Sequence, residues 1–354
     1  MHSRRSGSPF LNLSYKFDDF EMTSKELFAE HMNRRSKILC RMAAWIFIGS
    51  IFIPLLVYGV CRGADEESKI PVFVSILPQR YFVIKIGGPR IHVSTMVLPG
   101  ANPHTFEPRP RQMVELVKAK VYFAAGVPFE TTWLVRIASA NPRMVIVHTD
   151  AGIEKKNMDM HQYPEAESIS RSQPADHALR FQKSRNGHLH EGEKDPHTWL
   201  SPPLAKIHAR NILNALVDVD PSFRGLYEAN YQKLETEIDA VDSRLKDVFS
   251  GVGQRTAFMV FHPAWGYFAE TYNLKQVPVE VEGKEPKPAD LRHLILWAKN
   301  NNVKVVFTQK QFSAKSAEVI AGAINGQVIY ADPLAEEWSE NLLFVAEKFR
   351  EALR

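Results

Sequence analysis

The chain has 354 residues, 45% hydrophobic and 24% charged, a balance that excludes a disordered or fibrous protein and allows two compact domains. Of its 44 Lys and Arg, nine lie in residues 1–64 with five of its 40 acids, so 35 of each remain elsewhere and the net charge of +4 belongs to the N-terminal segment. A neutral body excludes an electrostatic footprint for nucleic acid. The only cysteines, Cys40 and Cys61, also sit in the N-terminal segment, which excludes a disulfide, a Cys-based zinc site or a thiol nucleophile from the body.

From Met42 to Cys61 the chain runs 20 residues without a charge, preceded by Arg34, Arg35, Lys37 and Arg41 and followed by Arg62-Gly63-Ala64-Asp65. A basic stretch, an apolar run and then small residues make an export-signal pattern. The alternative is an uncleaved anchor, since 20 apolar residues just span a bilayer; Pro54 within the run favours the signal. Met32, opening MNRRSK, is a second candidate start. Cys61 is a candidate lipid-attachment residue, although Tyr58-Gly59-Val60 before it fits such processing poorly. Residues 1–64 are therefore read as an N-terminal extension with a signal or anchor segment.

The body, from 65 on, alternates strands and helices. Ile70–Leu77, His92–Leu98, Val121–Ala125 and Met144–Val147 read as strands, with a helix between the first two and another over Arg111–Ala119. This pattern predicts a parallel sheet in a first α/β lobe, residues 65–219. Within it, residues 155–194 are polar, contain four histidines and show no period, which predicts a long surface loop.

Asp220 is placed to cap a helix, Pro221 suits its first position, and Phe223, Tyr227, Tyr231, Leu234, Ile238, Val241, Leu245 and Val248 recur at steps of three and four. A helix over 220–250 is about 40 Å long at 1.5 Å per residue, the length of a strut between lobes. The second lobe, 251–354, resumes the rhythm. Strands are predicted at 257–261, 303–308 and 327–331, an extended segment at 274–281, and helices at 262–272, 288–300, 313–324 and 338–353. The architecture predicted is two α/β lobes, each with a mainly parallel sheet flanked by helices, joined by a long rigid helix.

Ligands of open α/β sheets bind beyond the carboxyl ends of strands. His104 follows the strand ending at Leu98, His262 the strand ending at Phe261, and Asp332 the strand ending at Ala331. His197 sits in the turn Asp195-Pro196-His197-Thr198-Trp199 at the exit from the polar loop. His148, His208 and His293 lack such a context and read as surface or locally hydrogen-bonded residues. Three imidazoles and a carboxylate suit a four-coordinate, roughly tetrahedral Zn²⁺. Such a site loses affinity as protons compete below the imidazole pKa of about 6.5.

Four segments occur in order: Pro103-His104-Thr105-Phe106-Glu107-Pro108, Asp195-Pro196-His197-Thr198-Trp199-Leu200, Phe261-His262-Pro263-Ala264-Trp265-Gly266-Tyr267-Phe268 and Ala331-Asp332-Pro333-Leu334. Together they resemble the ligand motifs of the periplasmic zinc- and manganese-binding proteins of ABC importers, over about residues 70–354. The resemblance implies two lobes around a rigid helix with a metal site between them. It implies Zn²⁺ as the carried ion, a membrane permease as partner, a monomer, and no catalysis. It implies His104, His197, His262 and Asp332 as metal ligands. Manganese-type members tend to carry Glu at the third position and zinc-type members His, so His262 implies zinc. The fourth ligand stays open between Asp332, Glu107 and water. Zinc-type members often carry a His-rich loop between the first two motifs; here it offers only His161, His177, His188 and His190 among Lys and Arg.

Two other functions compete. His188-Leu189-His190-Glu191-Gly192-Glu193 faintly resembles a metallohydrolase pair, but it lies in a loop with nothing to hold an open coordination site. A structural zinc would leave the metal-free chain unfolded, whereas a carrier folds without its ion.

Overall fold

The computed structural model describes residues 69–158, 194–281 and 283–353. The export segment with Met32, Cys40 and Cys61, and the loop histidines His161, His177, His188 and His190, lie outside the described residues.

The first lobe runs β1 (Ile70–Val74), α1 (Leu77–Gly87), β2 (Ile91–Thr95), α2 (Pro110–Leu116), β3 (Val121–Ala124), α3 (Pro128–Ala140) and β4 (Val145–His148), followed by α4 (Pro202–Val219). A 3₁₀ turn at Pro221–Phe223 leads into α5 (Arg224–Phe249). The second lobe runs β5 (Thr256–Val260), α6 (Gly266–Thr271), β6 (Leu274–Pro278), α7 (Pro288–Asn300), β7 (Val305–Thr308), α8 (Lys315–Ala323), β8 (Gln327–Tyr330) and α9 (Trp338–Ala352).

Each lobe holds a four-stranded sheet, ordered β2-β1-β3-β4 in the first and β6-β5-β7-β8 in the second. All pairings are parallel; Val74 is in register with Thr95 and Phe123, and Val260 with Pro278 and Phe307. β3 and β7 are buried throughout, as apolar inner strands must be when both faces are covered, while the edge strands β4 and β8 leave Val145 and Tyr330 half exposed. In both sheets the order reverses beside β1 or β5, and the crevice of such a sheet opens beyond the strand ends there.

Proline marks the helix starts: α1, α2, α3, α4 and α7 each carry one in the first turn, where the missing N–H costs nothing. Asn273, Asn302 and Asn325, just past α6, α7 and α8, have φ of 56°, 51° and 51°, the left-handed conformation that stops a helix and that Asn tolerates.

The stripe predicted on the long helix is buried from Tyr227 to Val248, while Phe223 stays 37% exposed on the 3₁₀ turn. Asp220 does not cap α5 through its side chain; Oδ2 instead accepts from the Tyr227 hydroxyl at 2.7 Å and from Arg90 at 3.3 Å. At 26 residues α5 is about 39 Å long. It packs on α1 and α4 of the first lobe and on α9 of the second. One hydrophobic core therefore runs through both lobes, from Val72, Phe73 and Phe123 to Phe258, Phe307 and Phe349. A smaller core around Met259, Val306 and Ile320 belongs to the second lobe alone.

Two helices, α3 and α4, were not predicted. In α3, Glu130 shares the buried face with Phe129 and Ile137 while Val135 is exposed, which blurs the period; α4 buries Ala205, His208, Ala209, Ile212, Ala215 and Leu216 at helical spacing, a pattern the sequence does carry. α6 also starts four residues later than predicted, because residue 262 precedes Pro263 and that disfavours helical backbone. Among the described residues no helix is long and apolar enough to cross a membrane.

Candidate metal centre

Three turns of one design surround the crevice. Asn102 Oδ1 accepts from the backbone N–H of His104, Asp195 Oδ1 from that of His197, and Asp332 Oδ1 from that of Leu334, each at 2.9 Å. These are Asx turns, and Pro103, Pro196 or Pro333 stiffens the middle of each. Two of them present an imidazole. The third presents Leu334.

His262 is held differently. It follows β5 by two residues, and the Gln309 amide clamps its backbone: Oε1 accepts from His262 N at 3.3 Å and Nε2 donates to His262 O at 2.9 Å. The Phe312 ring stacks on the imidazole, with centroids 4.7 Å apart and planes at 20°.

The three histidines converge. Their ligand atoms lie within 4.8 Å of one another, and His197 and His262 are buried, at 6% and 4% exposure. His104 Nε2 and His262 Nε2 are 3.3 Å apart. Two nitrogens bound at 2.0–2.1 Å to one tetrahedral Zn²⁺ stand about 3.3 Å apart, so this pair already has the spacing of two zinc ligands. The cavity they line holds about 20 Å³, room for an ion or a water.

Two carboxylates select the tautomers. His197 Nδ1 meets Asp195 Oδ1 at 2.8 Å, and His262 Nδ1 meets Glu280 Oε1 at 2.8 Å. A carboxylate only accepts, so each Nδ1 carries the proton and each Nε2 offers its lone pair to the cavity. Burial, reinforced by the neighbouring His262 and His197, pushes the His104 pKa down to about 3. Burial also lowers His197, against the opposing pull of Asp195. Proton competition at His104 therefore begins well below the pH 6.5 expected of a free imidazole.

Asp332 is not brought into this cluster. Its Oδ1 is taken by Leu334 N and by Gln311 Nε2, at 3.2 Å, and it lines a neighbouring interlobe cavity of about 200 Å³ with Leu98, Gly100 and Glu336. Its Oδ1 closes a turn, as those of Asn102 and Asp195 do, while no hydrogen bond among the described residues engages Oδ2. Glu107 is exposed and also outside the cluster. Sequence reasoning missed Glu280 and the role of Asp195. Asp195 stood inside a quoted motif, where Asp-Pro-His already spells the turn; Glu280 had no local signal, since β6 delivers it to His262 from 18 residues away.

Further bonds tie the lobes together at the site. Trp199 Nε1 donates to Pro333 O at 2.9 Å, Trp338 Nε1 to Trp199 O at 2.7 Å, and the Tyr267 hydroxyl to Asp195 O at 3.2 Å. His208, buried, sits between Thr149 Oγ1 and Thr198 Oγ1 at 2.9 and 2.8 Å, anchoring the segment after His197.

A family profile described as "ZnuA: Zinc-uptake complex component A periplasmic" matches residues 72–351. The chain belongs to this family. It is thus a metal-binding solute-binding protein of an ABC importer, acting outside the cytoplasm with a membrane permease, and its family and fold are those of binding proteins rather than enzymes. Bacillus subtilis ZnuA, a high-affinity zinc uptake protein, is 28% identical over 270 residues, 75% of this chain and 78% of its own. The iron-binding protein YfeA of Yersinia pestis is 26% identical over 281 residues, 77% of this chain and 81% of its own. A crystal structure of ZnuA superposes with a TM-score of 0.70 at 38% identity, covering 81% of this chain and all of the other. The two parallel-sheet lobes and the long helix are the fold of that family.

Proposed function

We propose that the chain captures Zn²⁺ with His104, His197 and His262 and hands it to the permease. The observation that carries this reading is the triad of converging Nε2 atoms, two of them aimed by buried carboxylates. Imidazole nitrogens suit zinc, whereas manganese sites lean on oxygen donors, and the converging donors here are three imidazoles. Three protein ligands leave a fourth position for water or for Asp332, whose Oδ1 is bonded to Leu334 and Gln311 while Oδ2 takes no hydrogen bond among the described residues.

The same features support delivery by small movements. α5 is continuous between the lobes, and the shared core and Trp199–Pro333 bond oppose wide opening. Export by the segment at 42–61, followed by action as a monomer, completes the reading. Competition titration against a chromophoric chelator tests it: zinc is expected to bind one ion per chain and to displace Mn²⁺ and Fe²⁺. Preference for Fe²⁺ would assign the chain to the iron-binding type named for Yersinia pestis YfeA instead, and preference for Mn²⁺ would equally overturn the zinc reading.

A further inference from the structure

We propose that Glu280 is the charge partner of the metal site: it acts through His262 to set affinity and to match the site to a doubly charged ion. This rests on the metal-carrier reading and adds a residue and a mechanism to it. Glu280 is 4% exposed, and its only ion-pair contact among the described residues is His262 Nδ1. Its second oxygen, Oε2, is buried with no hydrogen-bond partner among the described residues. A buried carboxylate so poorly paired is costly, because one neutral N–H cannot replace its hydration. Position alone does not require it, since the Gln309 clamp fixes the His262 backbone and Phe312 stacks on the ring.

A cation on His262 Nε2 supplies what is missing. It polarises the imidazole, strengthens the Nδ1–H···Glu280 bond and brings positive charge into the same low-dielectric region. Asp195, 3% exposed, stands in the same relation to His197. Three neutral imidazoles and two buried carboxylates carry a charge of −2, which a divalent ion cancels without any carboxylate entering its coordination sphere. Asp332 is then unnecessary for neutrality.

Glu280→Gln separates charge from shape, because the amide oxygen can still accept from Nδ1–H. Zinc affinity of the purified protein, measured by chelator competition, is expected to fall about 10–100-fold. The Co²⁺-loaded variant should keep tetrahedral d–d intensity, and the metal-free variant should melt at the same or a higher temperature than wild type. A merely structural residue would lose stability and affinity together. Asp195→Asn is the second variant. Its turn survives, since Asn102 closes the same turn before His104, so the same 10–100-fold loss is expected without misfolding. If wild type fails to bind any divalent ion, the carrier reading falls. If wild type binds and both variants bind within about threefold of it, the charge assignment alone is overturned.

Discussion

His104 and His262 face each other across 3.3 Å, yet the two lobes hold them by opposite means. The second lobe builds a fixed seat: backbone clamp from Gln309, stacking from Phe312 and a buried carboxylate on Nδ1. The first lobe offers His104 on a half-buried turn, its backbone bonded to Asn102, and no carboxylate among the described residues meets its ring. His197, also contributed from the first-lobe side, has the carboxylate but sits on a turn like that of His104. The difference separates a preorganised ligand from an adaptable one. A carrier must bind tightly and also release, and the ring with the fewest tethers is the one that can leave the ion first.

The largest effect that would sharpen this contrast is on His262. His262→Ala should weaken zinc by more than about 100-fold, beyond the range for a residue outside the coordination sphere, and His104→Ala should mainly speed dissociation in stopped-flow chelator chase. Equal dissociation rates for the two variants would break the comparison.

Asp332→Asn comes next. The amide keeps the turn, as at Asn102, so zinc affinity should stay within about tenfold of wild type by titration. A larger loss would return Asp332 to the ligand set.

The pH dependence of the metal-free protein has a definite sign. Folded His104, at about 3, and His208, at about 4, take up protons later than unfolded imidazoles at 6.5. The unfolded chain therefore binds more protons between these values. Stability is fully present above pH 6.5 and is lost as the pH falls towards 3, which urea midpoints at stepped pH will follow.

Tyr267→Phe should have the smallest effect. The hydroxyl accepts from Lys156 N at 3.0 Å and donates to Asp195 O, so its loss costs about 1 kcal/mol per bond by chemical denaturation and a few-fold in zinc affinity through Asp195.

Much of the fold was legible because its signals are local. Inner strands such as Val121–Ala124 are apolar runs, α1, α2 and α7 carry proline in their first turn, and the α5 stripe repeats over 26 residues. α3 is blurred by Glu130 on its buried face, whereas α4 carries its period, Ala205, Ala209, Ile212 and Leu216, partly in alanines that mark a buried face only weakly.

The candidate site divides in the same way. His104 and His197 were readable as candidates, since Asn-Pro-His and Asp-Pro-His each write a turn and an imidazole in three adjacent residues. His262 was readable as an imidazole just past a strand end. Asp332 carried the same kind of signal, yet its oxygen closes a turn onto Leu334. Local sequence specifies that an Asx turn forms; only the packing of the lobes decides what stands at its tip and whether its carboxylate is free. Glu280 shows the converse. Nothing near it marks a function, and the parallel pairing of β5 with β6 alone brings it to His262. Sequence by itself determined most of the elements, the candidate imidazoles and two of the turns. Tertiary structure decided their charge partners, because a buried carboxylate takes its role from what folds against it.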